Sequence, residues 1–210
     1  MKCPRCGSKN IAEILYGLPD YNEELQSEIK EGKLRLGGCC ASELDPKYYC
    51  NDCKKGFATP PLIKSKDGFE DLREVVTCIR FSIGGFFGGC QSITFEKKKY
   101  AILLSVTTKD LAPQTSDGIL SGTHGRAMTE KEWKKLLNNL FCKLCVHEWK
   151  KRYENPGVLD GEGWSLEFKL TGGRQRNYYG SNAYPPLWKE LKNVLRPFFK
   201  EFGIVLGSNI

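Results

Sequence analysis

A chain of 210 residues with a net charge of +7, 40% hydrophobic and 27% charged side chains has the composition of one medium globular domain or two small ones. That excludes collagenous and disordered classes, and no apolar run approaches the ~18 residues of a membrane-spanning helix, so no membrane association is expected. The first residues, Met-Lys-Cys-Pro-Arg-Cys, lack the ~7–15 apolar positions of a secretory signal, which makes the cytoplasm the expected compartment.

Ten cysteines in 210 residues, about 5%, fall below the ~8–10% density of a disulfide scaffold, and in a reducing compartment cysteine pairs point to metal or redox chemistry. Cys3-Pro-Arg-Cys6 and Cys50-Asn-Asp-Cys53 share a two-residue gap. Such a gap lets one tight turn aim two thiolates at an ion ~2.3 Å away, and two turns complete a tetrahedron. Gly7 and Gly56 stand where the chain leaves each turn and accept positive φ. Two such pairs, with Pro4 inside the first and Phe57 just after the second, resemble the zinc-ribbon family. The expected cofactor is therefore one structural Zn2+ on Cys3, Cys6, Cys50 and Cys53.

The 43 residues between the pairs exceed the roughly 15–20 of a compact ribbon, so an insertion is expected. Its elements are a strand over 11–16, a short acidic helix with Asp20 and Glu23 as a capping box and Leu25 and Ile29 on one face, a strand over 33–36, and a strand over 47–49. Cys39 and Cys40 are adjacent and cannot easily share one ion, so one is expected buried and the other partly exposed. Residues 1–60 carry as many acidic as basic side chains, which leaves the whole +7 on residues 61–210.

Residues 61–69, rich in Pro, Lys and Gly, read as a linker between a domain over 1–60 and a basic domain over 70–210. Alternation over Val75–Ile83, Ile93–Phe95 and Tyr100–Val106 predicts an antiparallel meander. The glycine-rich loop 84–89 lacks a P-loop ending and joins two strands. It reads as a wide hairpin, with Phe86 and Phe87 as a contact patch. Residues 107–128 read as a long polar connection. His124 lies there as the weak acid–base candidate, with no carboxylate spaced to orient it.

Thr129 and Glu132 form a capping box for an amphipathic helix expected to run to about Tyr153. Cys142 and Cys145 lie inside it and are expected to pack, with a second metal site alongside Cys78 or Cys90 as the alternative. A hairpin follows, Trp164–Leu170 and Arg174–Tyr179, and then a helix over 187–202 that Pro197 is expected to kink or split. The predicted class is α+β: a small amino-terminal zinc ribbon with an inserted helix, then an antiparallel sheet of meander plus hairpin with two helices on one face.

The Trp164-x-Leu-x-Phe-x-Leu hairpin and the segment Tyr179-Gly-Ser-Asn-Ala-Tyr184-Pro are similar to those of a group of uncharacterised bacterial proteins, which implies a bacterial origin and no particular activity. Three functions follow from the residues. In the first, a non-enzymatic adaptor binds a protein partner. In the second, nucleic acid is gripped by Arg174, Arg176, Tyr178, Tyr179 and Tyr184, with Lys97, Lys98 and Lys99 adding to the field. The third is an enzyme of unknown class.

Overall fold

The computed structural model describes residues 1–42, 44–66, 68–85, 89–109, 122–158 and 161–206. The chain is a mixed α+β protein, mostly sheet, with four α-helices among the described residues.

The amino-terminal sixty residues build one four-stranded sheet in the order β2-β1-β3-β4. Strand β1 (Ile11–Tyr16) is followed by helix α1 (Glu23–Lys30) and β2 (Leu34–Gly38), which pairs with β1 in parallel. Strands β3 (Tyr48–Cys50) and β4 (Lys55–Phe57) add the antiparallel half. The insertion is thus a helical crossover joining parallel strands. Its helix is capped by Asn22, whose side chain accepts from the Leu25 amide at 2.8 Å, and not by the expected Asp20. Both residue types cap well; Asn22 directly precedes the first helical turn, and Asp20 is two residues too far back.

The stretch expected as a linker carries structure of its own. Strands β5 (Leu62–Ser65) and β6 (Gly68–Asp71) form a hairpin, and the short helix α2 (Leu72–Val75) follows with Asp71 as its cap.

The larger sheet has seven strands in the order β10-β9-β8-β7-β12-β13-β11. Strands β7 (Val76–Gly85), β8 (Gly89–Lys97), β9 (Ile102–Lys109) and β10 (Gly122–Met128) form an antiparallel meander. Strand β12 (Glu162–Leu170) pairs with β7, and β13 (Gln175–Ser181) pairs with β12. The short β11 (Arg152–Glu154) closes the far edge in parallel with β13. The residues predicted as a long connection over 107–128 therefore contribute the end of β9 and all of β10. Their Gly, Ser and Thr content masked a pairing that Leu104 and Val106 on the neighbouring strand enforce. The hairpin tip with Phe86 and Phe87 lies outside the described residues.

Alternation puts Ile79, Phe81, Ile83, Ile93, Phe95, Leu104, Val106, Trp164, Leu166 and Phe168 into one buried cluster. Helix α3 (Glu130–Asn138) starts at the expected Thr129–Glu132 capping box and adds Trp133, Leu136 and Leu137. It does not run to Tyr153. A π-helical turn spans Asn139–Lys143, Cys145 turns left-handed at φ 47°, and a 3-10 turn covers Val146–Glu148. Helix α4 (Trp188–Lys200) continues unbroken through Pro197. The hydrogen bond that proline forfeits would be to Asn193, and both residues are exposed, so that carbonyl is not sealed away from solvent. Rings of α4 and the π-turn meet rings of the sheet: Trp188 with Phe81 and Trp164, Phe198 with Phe95, Phe141 with Phe168. No helix among the described residues is long and apolar enough to cross a membrane.

The Tyr-Gly-Ser-Asn-Ala-Tyr-Pro segment is a corner built around Trp164. The indole Nε1 donates to the Ala183 carbonyl at 2.8 Å, and Asn182, left-handed at φ 51°, accepts from the Glu162 amide at 2.8 Å. The Tyr184 hydroxyl donates to Glu162 at 2.8 Å. A Cβ on Gly180 would lie 2.3 Å from the indole nitrogen and 2.5 Å from the Ala183 oxygen. Gly180→Ala is therefore expected to lower unfolding stability by about 1–3 kcal/mol, measured as a shifted denaturant midpoint. A change near zero would show that the corner yields freely.

Candidate metal centre

Both cysteine pairs sit at the ends of elements that the small sheet holds side by side. In the first, the Gly7 amide donates to the Cys3 carbonyl at 2.9 Å; in the second, the Lys54 amide donates to the Cys50 carbonyl at 2.9 Å. Each turn closes with a left-handed residue, Gly7 at φ 78° and Lys54 at φ 56°. Lys54 thus takes the role expected of Gly56. Gly56 is required for a different reason: a Cβ there would stand 2.6 Å from the Pro46 ring.

Hydrogen bonds register one turn against the other. Asp52, between the second pair of cysteines, accepts from the Ser8 hydroxyl and from Asn10 at 2.9 Å, and these two bonds hold its carboxyl below the ordinary carboxylate range. Asn51 donates through its backbone to the Asn10 carbonyl at 2.9 Å and through its side chain to Asn10 and Gly32.

The outcome is that the sulfurs of Cys3, Cys6, Cys50 and Cys53 lie within 4.8 Å of one another and could hold one metal ion. Cys3 faces Cys53 at 3.8 Å and Cys6 faces Cys50 at 3.5 Å, far beyond a disulfide bond of ~2.05 Å. Cys3 and Cys50 are buried, Cys53 is half-buried and Cys6 is exposed. Burial opposes ionisation of Cys50, but the Cys53 and Asp52 amides and the neighbouring thiols bring its pKa down to about 7. Burial pushes the Cys53 thiol up to about 12, with the other three sulfurs adding to the effect.

Among the described residues no other cysteine joins such a group. Cys39 and Cys40 are both exposed, 3.7 Å apart at sulfur, so neither is the buried one expected. Cys142 is exposed and accepts from Arg73 at 3.4 Å; Cys145 is buried and contacts the Cys142 carbonyl. Cys78 and Cys90 lie on the large sheet, away from both.

The first cysteine turn also packs against residues 146–149 and α4, which the sequence did not disclose. Arg5, between the first two cysteines, donates to the Gly56 carbonyl at 2.6 Å and lies 3.1 Å from the Glu148 carboxylate. The Glu148 side chain is 4% exposed, and its other oxygen accepts from the Thr59 amide at 3.0 Å and hydroxyl at 3.2 Å. His147 is 7% exposed and its Nε2 meets the Thr59 carbonyl at 3.1 Å, while its Nδ1 is buried without a partner among the described residues. Burial pulls the imidazole down to about 4 and pushes Glu148 above the ordinary carboxylate range. Lys2 pairs with Glu190 of α4 at 2.8 Å, and Gly7 lies against Pro186.

The candidate nucleic-acid residues do not share a surface. Tyr178 is 1% exposed, edge-on to Trp149 and Phe168. Arg176 donates to the Tyr178 hydroxyl and the His147 carbonyl. Arg174 pairs with Glu70 at 2.7 Å, and Tyr184 lies against Trp188. Lys97 pairs with Glu130 and Lys98 with Glu96, while Lys99 lies over Tyr100. Only Tyr179 is exposed on the open sheet face, with Arg152 over its ring at 5.0 Å.

His124 is on edge strand β10 rather than in a loop, stacked on Phe202 at 6.3 Å, with no carboxylate bonded to it among the described residues. Asn182 follows β13, five strands away, roughly 24 Å by strand spacing.

Sequence reading also missed a row that strand register creates. Thr123, Thr107, Ser92, Ser82, Ser165, Tyr179 and Arg152 stand opposite one another across all seven strands, on the face away from the helices. Alternation revealed the polar positions, but not which of them line up.

Two outcomes follow for the junction. Arg5→Met strands a buried carboxylate and is expected to cost about 3 kcal/mol; adding Glu148→Gln should restore more than half of it, as measured by denaturant unfolding. In the second, His147 is neutral in the fold, with a pKa of about 4 against its ordinary 6.5, so the unfolded chain binds the extra proton. Its contribution, about 3 kcal/mol, is present above pH 6.5 and is lost as pH falls toward 4. Arg5 and Arg176 disfavour the charged ring, Asp71 favours it, and Glu148 titrates with the opposite sign. His147→Gln should flatten the stability profile between pH 6.5 and 4.

Compared with known protein families and curated proteins, the chain matches no family model and no curated protein.

Proposed function

We propose that residues 1–60 are a zinc ribbon with a helical insertion, and that the chain is a cytoplasmic, non-enzymatic adaptor whose zinc-stabilised module and large sheet together form a rigid surface for a protein partner. The observation that carries the metal reading is the sulfur geometry. Zinc–sulfur bonds of ~2.3 Å in a tetrahedron require sulfur–sulfur edges of about 3.8 Å. The Cys3–Cys53 pair at 3.8 Å and the Cys6–Cys50 pair at 3.5 Å are close to this edge, and all four sulfurs lie within 4.8 Å of one another. Four thiolates leave no open position, which is the arrangement of a structural ion and not of a catalytic one. Bound there, Zn2+ supplies a cross-link between the ends of a 43-residue interval.

What supports the adaptor is the unpartnered face of the seven-stranded sheet, roughly 29 Å across. The cross-strand row on it consists of five short hydroxyl side chains ending at Tyr179 and Arg152. Short side chains lose little entropy on contact and let another backbone come close. Among the described residues, Leu103 and Tyr179 are the exposed large apolar groups of that face. The alternative, nucleic acid, is supported by Tyr179 with Arg152 alone, because Tyr178 and Arg176 are used inside the fold.

The test has a metal arm and a partner arm. Elemental measurement is expected to find one zinc per chain, and chelation is expected to lower the melting temperature of the whole protein, because Arg5 and Lys2 tie the ribbon to residues 146–149 and α4. Full-length protein with a photo-cross-linking residue at Ser92 or Tyr179, irradiated in extract of its own cells, is expected to form one protein adduct that resists nuclease and disappears with Ser82→Arg. Adducts that nuclease removes would replace the adaptor with the nucleic-acid reading.

A further inference from the structure

The side of the molecule away from the hydroxyl row carries a groove of about 1220 Å³ where the first residues of the chain, α3 and α4 converge. A second recess of about 670 Å³ along α3 shares Lys135, Asn139 and Lys143 with it. Together they exceed the ~300–1000 Å³ of a small-molecule pocket. The floor is apolar: Leu136, Leu144 and Leu187 lie beneath, while Val194, Pro197 and Phe198 retain exposed surface.

The rim is cationic. Of the acidic side chains in the main groove, Glu132 is occupied by Arg126 and the Thr129 cap, and Glu190 by Lys2. Lys9, Lys131, Lys134, Lys135 and Lys143 have no ion pair among the described residues, and the last four span about 18 Å of helical rise on one side of the groove. A single anionic head group would engage one or two of these. Five call for a ligand with several charges along its length, and an apolar floor calls for side chains rather than a bare phosphate backbone.

We propose that this groove receives an acidic amphipathic helix of a partner protein, its apolar face on Val194, Pro197 and Phe198 and its carboxylates along the lysines. The assignment rests on the adaptor reading and names a partner chemistry for it. Helix-in-groove recognition uses anchors at i, i+3, i+4 and i+7, which fits a trough bounded by two helices. The docked ribbon completes one wall through Met1, Lys2 and Lys9, so the groove is whole only while the metal module holds its place.

Cys142 lines the same groove and supplies the readout. The probe is an 18-residue synthetic helix with Leu on one face and Glu flanking it, titrated into full-length zinc-loaded protein and followed by fluorescence anisotropy. Alkylation of each cysteine is mapped by mass spectrometry in parallel. Saturable binding is expected, weakening at least tenfold when Glu is replaced by Gln in the peptide and at least tenfold again in Lys135→Glu/Lys143→Glu protein. Cys142 alkylation should slow at least fivefold on binding, with Cys90 on the opposite sheet face unchanged. Equal binding of the Gln peptide, unprotected Cys142, or tighter binding of an 18-nucleotide single strand would each overturn the assignment. If the peptide fails while the protein adduct at Ser92 or Tyr179 persists, the groove assignment falls and the adaptor stands; if that adduct is absent as well, both fall.

Discussion

The amino-terminal sixty residues depend on four sulfur atoms being brought to one point. Their apolar core is Cys3, Cys50 and Phe57, with Ile11, Tyr48, Cys53 and Ala58 packed around it. Burial on that scale offsets only a small part of the entropy of ordering sixty residues. Closure between the two cysteine turns, and the polar bonds of Ser8, Asn10, Asn51 and Asp52 that register them, must supply the remainder. Strand β1, helix α1 and strand β2 then hang from this closure as a parallel crossover, because β1 leaves the first turn and β3 enters the second.

The same turn is anchored a second time, to the larger domain. Arg5 projects from between Cys3 and Cys6 to a carboxylate that has almost no contact with water. A buried ion pair of this kind adds little net stability but penalises any arrangement that separates its members. Glu148, His147, Thr59 and Arg176 form one polar seam between the modules. Several side chains with the look of a phosphate-reading surface are members of such internal contacts: Arg176 holds Tyr178 and a backbone carbonyl, and Arg174 holds Glu70. The net charge of +7 accordingly overstates the cation density available to a ligand on the hairpin. Among the described residues, a run of lysines without ion pairs lies along α3 and the π-turn that follows it, away from the hairpin.

Two faces of the large domain differ in chemistry for a reason that lies in the sheet. Strand alternation sends the large apolar side chains, Leu103 and Tyr179 excepted, to the helix side. The other side carries a ladder of serines and threonines, with Tyr179 and Arg152 at its end, beside charged positions such as Arg80, Glu96, Glu167 and Lys169. A flat polar ladder and a lysine-edged apolar groove recognise different chemistries, and the molecule presents them on opposite sides. The cysteine turns reach the groove through Met1, Lys2 and Lys9 and not the ladder, so disturbing them would act on one surface more than on the other.

The sequence by itself determined the four cysteines, the strands of the meander and hairpin, the helix starts at Thr129 and the last helix, because each is a local pattern of spacing, alternation or capping. It misplaced the cap of α1, overextended α3, and read 61–69 and 107–128 as unstructured. At 61–69 and 107–128 the local composition favoured turns, while pairing of β5 with β6 and of β9 with β10 decided otherwise; α3 was overextended because its apolar spacing continues past the π-turn and the left-handed Cys145 that end it. Only the tertiary structure joined Arg5 to Glu148 over 143 positions, aligned seven residues from seven strands into one row, and buried Tyr178. Those outcomes depend on register and on which faces meet, and neither is written in the residues on one side of a contact alone.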